Sequence, residues 1–223
     1  MRARAPSLHE ALFPVDLPEF AAIPELWPED VVREMLSLVW EGFDQMKSKH
    51  LSRADFAVDY EQLERGLTSL HIREILLLWD RFSSFVPIPE ECEWRSRVSR
   101  SSKPLAVDIA FESMANPSLH FAIEAKVLEN TRDVSRYLAD LTEKYLAGKG
   151  APVASTAALV GYLRAGFPND VFPHLAARLS QPLMPCAAFP NRSHRVSHHQ
   201  RQLSGFSTER PFVCHHLILG LSD

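Results

Sequence analysis

The stretch LAVDIAFESMANPSLHFAIEAKVL, residues 105–128, decides how the chain is read. Two short apolar runs, LAVDIAF and HFAIEAKVL, flank the turn-like SMANPS, with Asn116-Pro117 near its middle. Proline fixes its own φ and disfavours helix at the residue before it, so the pair marks a chain reversal and predicts a β-hairpin. Centring the reversal on Asn116 places Asp108 opposite Glu124, and side-chain alternation puts Lys126 on the face of Glu124. Three ionisable groups on two otherwise apolar strands then meet on one patch. The simplest account is a sheet with one wet face, in which Ala122, Glu124 and Lys126 point to water while Ile123, Ala125 and Val127 point inward.

Working outward, the segment after the hairpin, TRDVSRYLADLTEKYLAGKGAP, carries an apolar stripe of Val134, Tyr137, Leu138, Leu141 and Tyr145 and predicts one amphipathic helix closed by Gly148 or Gly150. Arg132, Arg136, Lys144 and Lys149 give that helix positive charge. STAALVGYLRAGF then predicts a strand over 157–163, apolar on both faces and so central in its sheet. The order hairpin, helix, strand implies a crossover into the same sheet. DVFPHLAARLSQPL reads as a short helix, and the chain ends in a strand over 212–219. Five of the ten histidines lie in the tail: His194, His198, His199, His215 and His216. Adjacent histidines on a strand face opposite ways and no cysteine stands at ligand spacing, so these read as surface or packing residues rather than a zinc site.

On the other side of the hairpin, prolines 6, 14, 18, 24 and 28 make residues 1–28 an irregular arm, packed through Phe13, Phe20 and Trp27. PEDVVREMLSLVWEGFDQMKSKHL begins with proline and two acids and predicts a helix buried through Val32, Met35, Leu36, Val39 and Phe43. Leu63, Leu67, Leu70 and Glu74 predict a further helix, or two in succession, on which Glu61 and Glu64 share a face. Pro87 and Pro89 exclude helix from VPIPEECEWRSRVSRSSKPLA, which reads as a strand followed by a basic loop with Arg95, Arg97, Arg100 and Lys103. The division expected is an N-terminal arm and helical extension over 1–55 and one folded domain over 56–223.

The 223 residues are 46% hydrophobic and 23% charged, enough for one sizeable core. No apolar run approaches the roughly 20 residues of a membrane helix, and nothing at the N-terminus reads as a signal peptide. Three widely spaced cysteines argue against a disulfide framework. The expectation is a cytoplasmic protein that does not engage a membrane. A net charge of −4 counts against coating of nucleic acid by bulk attraction, so nucleic-acid binding has to be local or shared with a partner protein or a second subunit.

The chemistry that would use Asp108, Glu124 and Lys126 is phosphodiester hydrolysis. It requires a divalent cation against the phosphoryl oxygen and a nucleophilic water. Mg²⁺ takes oxygen ligands and one or two carboxylates, which Asp108 and Glu124 supply, with the Ala125 carbonyl facing the same ion. Lys126, beside the ion, would orient or deprotonate the water, because a lysine near a metal and partly desolvated has a lowered pKa.

In this region the chain resembles the PD-(D/E)xK nuclease superfamily, the restriction-endonuclease-like fold. The residues that carry the resemblance are Val107-Asp108, a hairpin turn, Ile123-Glu124-Ala125-Lys126, then a helix and a strand, with Val107 where the family's proline stands. It is similar to bacterial members with a KYxxGK…GYL segment, here Lys144 to Lys149 and Gly161-Tyr162-Leu163, and a late Ser-x-His-x-Arg, here Ser197 to Arg201. The resemblance implies an α/β domain with a mixed sheet flanked by helices, Asp108 and Glu124 as Mg²⁺ (or Mn²⁺) ligands, and Lys126 as catalytic lysine. It also implies a further acid from the preceding helix, Glu61 or Glu64. Arg132, Arg136, Lys144, His199 and Arg201 become candidate contacts to nucleic acid, DNA above all, in an anti-phage or restriction setting. A catalytically silent subunit that keeps the fold to bind nucleic acid or a partner protein is the competing expectation.

Overall fold

The computed structural model describes residues 27–54, 56–92, 106–116, 119–149, 151, 154–202 and 209–222. Phe13, Phe20 and the basic run from Arg95 to Lys103 lie outside them. Helix α1, Glu29–Lys49, begins after Pro28 with Glu29 and Asp30 in its first turn and ends on Lys47 and Lys49, charges that complement its dipole. Its apolar stripe is buried as the periodicity requires, with Met35, Val39 and Met46 at 0% exposure. Each such side chain contributes about 1.5–3 kcal/mol of burial. Helix α2, Tyr60–Leu78, is a single helix whose first turn is capped by the Asp59 carboxylate accepting from Gln62 N–H. Leu76, Leu77 and Leu78, in its last turn, are solvent-exposed.

Among the described residues seven strands form one mixed sheet: β1 Phe85–Cys92, β2 Ala106–Ser113, β3 His120–Leu128, β4 Thr156–Leu163, β5 Met184–Pro185, β6 His194–Arg201 and β7 Arg210–Gly220. Their spatial order is β1-β2-β3-β4-β7-β6-β5. β3, β4 and β7 pair in parallel at the centre, and the outer strands pair antiparallel. Every residue of β4 is buried, as expected of a central strand. β6 and β5, which the sequence did not reveal, extend the sheet on the far side; histidines, arginine and serine hide the alternation of β6.

The chain crosses from β3 to β4 through helix α3, Ser135–Ala139, which continues as a π-helical stretch over Asp140–Leu146. One regular helix was expected here. The Thr142 hydroxyl donates to the Leu138 carbonyl at 3.0 Å, drawing an acceptor out of the α-ladder. At the end of the stretch Lys149 N–H reaches back five residues to the Lys144 carbonyl. The expected stripe is nevertheless buried: Val134, Tyr137, Leu138, Leu141 and Tyr145 all pack against the sheet. Helix α4, Val171–Leu179, follows β4 and ends on Ser180 in the left-handed conformation.

Two apolar layers result. On one face α1 and α2 pack over Ile109, Ile123, Ala125, Val127, Val160 and Tyr162; on the other α3 and α4 cover Ala122, Leu159, Leu163, Cys214 and Ile218. The described part of the 1–55 segment is therefore one layer of the same core as the sheet. His71 ties three elements of the first layer together: its Nε2–H donates to the Val39 carbonyl at 2.7 Å and its Nδ1 accepts from the Tyr162 hydroxyl at 2.9 Å. Burial pushes this imidazole down to about 4, only partly offset by the bond to Val39.

Candidate functional site

The hairpin register follows the expected alignment, Ile109 opposite Ile123 and Glu112 opposite His120, but the ladder stops there. The next opposed positions are Asp108 and Glu124. On the other flank of β2 the pairing passes from Pro89–Ile109 to Glu91–Val107, skipping Glu90, which has φ 48°. Asp108 thus sits where β2 is released from both neighbours. Beyond this point β3 has no pairing strand on this edge among the described residues, and carboxylates meet its N–H groups. Ala125 N–H donates to Asp108 Oδ2 at 2.7 Å and Val127 N–H donates to Glu64 Oε2 at 3.2 Å. The split in the sheet is what admits a helix-borne acid to the hairpin.

The wet-face account of the hairpin fails on burial. The Glu124 side chain is 1% exposed and Lys126 is 12% exposed. Lys126 Nζ donates to Glu64 Oε1 at 3.0 Å and to the Ala125 carbonyl at 2.8 Å. It also lies 3.1 Å from Asp140 Oδ2 and 3.8 Å from Asp108 Oδ2. Glu124 Oε2 accepts from Lys144 Nζ at 2.7 Å, and Lys144 in turn pairs with Asp140 Oδ1 at 3.0 Å. Asp140 and Lys144 come from the π-helical stretch and were not singled out together by sequence; their i, i+4 spacing beside the E-x-K strand was the available signal.

Glu64, and not Glu61, supplies the helix-borne acid. Glu61 is exposed and lines a neighbouring cleft of about 340 Å³ together with Arg65, Glu90 and Arg136, with Glu64 and Asp108 on its wall. Glu90 and Arg65 are further residues that sequence reasoning missed, because nothing local places β1 or the outer face of α2 beside Asp108.

Four carboxylates (Asp108, Glu124, Asp140, Glu64) face two ammonium groups (Lys126, Lys144) in this cluster. Arg136 stands on the rim, 4.0 Å from Glu64 and 4.0 Å over the Tyr60 ring. Burial, reinforced by Asp108 and Asp140 and opposed by Lys144, pushes Glu124 up to about 8. Burial alone would lower Lys126, but Asp108, Asp140, Glu64 and Glu124 outweigh it and hold the ammonium above the ordinary lysine range. With no cation beside it, Lys126 is thus held as a protonated donor by the surrounding carboxylates. The donor set fits a hard divalent cation. It is made of oxygens, it carries more negative than positive charge, and Glu124 Oε1 is buried with no hydrogen-bond partner.

Of the expected nucleic-acid contacts, Arg132 and Arg136 are exposed, and Arg136 lines the cleft beside the site. Lys144 is not available as a phosphate contact here, because it is bound to Glu124 and Asp140. Arg201 is corrected outright. It is 2% exposed, and its guanidinium donates to the carbonyls of Tyr145, Ala151 and Ala154 while stacking 4.1 Å from the Phe212 ring. It closes the end of the π-helical stretch. His199 is likewise engaged internally, with Gln181 donating to its ring and its Nε2 2.7 Å from Ser197 Oγ. Ser197 passes the chain on to His216 Nε2 at 2.8 Å, and His216 Nδ1 meets the Tyr137 hydroxyl at 3.2 Å.

The expectation that no cysteine joins the tail histidines is also corrected. Cys186, His194 and His215 bring one ligand atom each within 4.8 Å of one another. The hydrogen bonds nevertheless fix the tautomers. Trp40 N–H, a donor only, points at His194 Nδ1 at 3.4 Å, so His194 carries its proton on Nε2 and donates to His215 Nδ1 at 3.1 Å. Trp40, His194 and His215 form a buried hydrogen-bond chain beside Cys186.

No helix among the described residues is long and apolar enough to cross a membrane. Compared with protein-family models, with curated proteins and with solved structures, the chain matches none.

Proposed function

We propose that this protein is a metal-dependent nuclease of the restriction-endonuclease-like type, hydrolysing phosphodiester bonds at the split between β2 and β3. The observation that carries the reading is the convergence there of Asp108, Glu124, Glu64 and Lys126 from three separated stretches of chain, in a buried cluster with excess negative charge. Asp108 and Glu124 would hold Mg²⁺ or Mn²⁺, with the Ala125 carbonyl beside them. Bound there, the ion would polarise the phosphoryl oxygen and make its water a nucleophile at neutral pH. Lys126, kept charged by its four acidic neighbours, donates hydrogen bonds to the attacking water or to the phosphoryl oxygens where negative charge develops. Glu64 holds the Lys126 ammonium and caps Val127 N–H, which fixes both the lysine and the strand edge. Arg136 offers positive charge on the rim of the cleft, and Arg132 is an exposed positive charge on the same stretch of chain. DNA is the substrate proposed, in defence against foreign DNA, with part of the binding shared with a partner protein or a second copy, a sharing that the net charge of −4 supports.

The test is incubation of the full chain with plasmid, linear and single-stranded DNA and with RNA, in Mg²⁺ or Mn²⁺, beside Lys126→Ala and Asp108→Ala. Cleavage by the wild type, reduced at least about 100-fold in both variants, is the expected result. Cleavage that survives in both removes the site assignment. Cation binding without cleavage of any substrate supports the silent-subunit reading instead.

A further inference from the structure

We propose that Asp140 and Lys144 form a counter-ion exchange that sets the affinity of the Asp108–Glu124 site for a divalent cation. Lys144 neutralises Glu124 while no cation is bound, and Asp140 takes the lysine over when one binds. The proposal rests on the reading of Asp108 and Glu124 as cation-binding carboxylates. Asp140 and Lys144 act in it as positioning residues.

Lys144 Nζ is shared between two carboxylates, 2.7 Å from Glu124 Oε2 and 3.0 Å from Asp140 Oδ1. The two partners are held differently. Glu124 stands on β3, in the floor of the site, whereas Asp140 and Lys144 are i, i+4 neighbours on one π-helical stretch. Their pairing needs nothing from the strand, so the lysine can leave Glu124 without becoming an unpaired buried charge. Two buried oxygens facing this point are unsatisfied. Glu124 Oε1 has no hydrogen-bond partner, and Asp140 Oδ2, on a side chain nine-tenths buried, lies at ion-pair distance from Lys126 but outside hydrogen-bond geometry. A group that is 1% exposed and half satisfied by a lysine is poised to accept a stronger cation in the lysine's place.

Charge arithmetic gives the direction of each perturbation. A single positive charge 2.7 Å from the cation's ligand, in partly buried surroundings, opposes binding by the equivalent of about tenfold or more in affinity. Removing Lys144 therefore tightens binding. Removing the charge of Asp140 leaves the lysine with Glu124 as its sole strong partner and weakens binding. A general electrostatic effect of Asp140 on the cation would also weaken binding, but it would do so whether or not Lys144 is present. The exchange requires that the Asp140 effect vanish without the lysine.

The experiment is calorimetric titration of Mg²⁺ and Mn²⁺ into the full chain as wild type, Lys144→Met, Asp140→Asn and the double variant, with circular dichroism to verify folding. The expected result is about tenfold tighter binding for Lys144→Met, about tenfold weaker for Asp140→Asn, and a double variant equal to Lys144→Met. Equal effects of Asp140→Asn in both backgrounds, or unchanged or weaker binding in Lys144→Met, overturn the exchange while leaving the cation site standing. If Asp140→Asn does not fold, Asp140→Ser takes its place in both backgrounds. A wild type that binds neither cation overturns the cation reading itself, and the exchange with it.

Discussion

Replacing Glu124 by Gln is expected to stabilise the cation-free protein, and to do so only above acidic pH. Glu124 is 1% exposed, and burial together with Asp108 and Asp140 raises its carboxyl from the ordinary 4.5 to about 8 despite Lys144. A carboxyl raised on folding contributes stability that is fully present below the unfolded value and is lost as pH rises through the folded value. Between pH 5 and pH 8 the wild type thus loses roughly 1.4 kcal/mol per pH unit from this group, about 3–4 kcal/mol in all. Glutamine keeps the shape and can still accept from Lys144, but it does not titrate. The two proteins should be of similar stability at pH 5, and the variant should lead by about 3 kcal/mol at pH 8. Urea unfolding of both at pH 5, 6, 7 and 8, with and without Mg²⁺, measures this. Mg²⁺ should narrow the gap at pH 8 by stabilising the wild type alone, by about 1.4 kcal/mol at a concentration ten times its dissociation constant. Parallel stability curves for the two proteins, or a variant less stable at pH 8, would refute the reasoning that acidic crowding at Glu124 is held in place for cation binding.

Other outcomes follow from the same structure. His71 is buried neutral with its imidazole pushed down to about 4, so its contribution is present above pH 6.5 and lost as pH falls, at up to about 1.4 kcal/mol per pH unit between 6 and 4.5. His71→Gln should flatten the acid limb of a stability-versus-pH curve by one proton, and an unchanged slope would exclude His71 as a source of acid lability. Arg201→Met should destabilise the fold by about 3 kcal/mol or more, since three carbonyls at the end of the π-helical stretch lose their donor. It should leave the salt dependence of DNA binding in the surviving folded protein unchanged, whereas Arg136→Ala should reduce that slope by about one. A protein dialysed against chelator and then given one equivalent of zinc should show no retention by Cys186, His194 and His215. Stoichiometric zinc lost in His194→Ala would replace the hydrogen-bond chain with a metal site.

Much of the fold was legible because it is written in local periodicity. The stripe of α1, the all-apolar β4 and the Asn-Pro reversal each follow from a few neighbouring residues, and the reversal alone gave the hairpin register that puts Asp108 across from Glu124. β6 was not legible because its buried positions are His194, Ser197 and Arg201, polar residues satisfied by partners far away in the sequence.

The sequence by itself determined the layered α/β scaffold, the hairpin and the three residues at its centre, since these depend on side-chain alternation and on the chain's own turns. Only the tertiary structure decided which charges complete the site. Glu64 and Glu61 lie on the same face of one helix, and the choice between them is made by a contact across 62 residues, where β3 runs past the end of its pairing with β2. The same packing turned Lys144 from a surface charge into the partner of Glu124, brought in Asp140 and withdrew Arg201 into the core. It also kept Lys126 protonated. Burial and Coulomb interaction depend on distances between elements, and those distances are fixed when the helical layers close on the sheet.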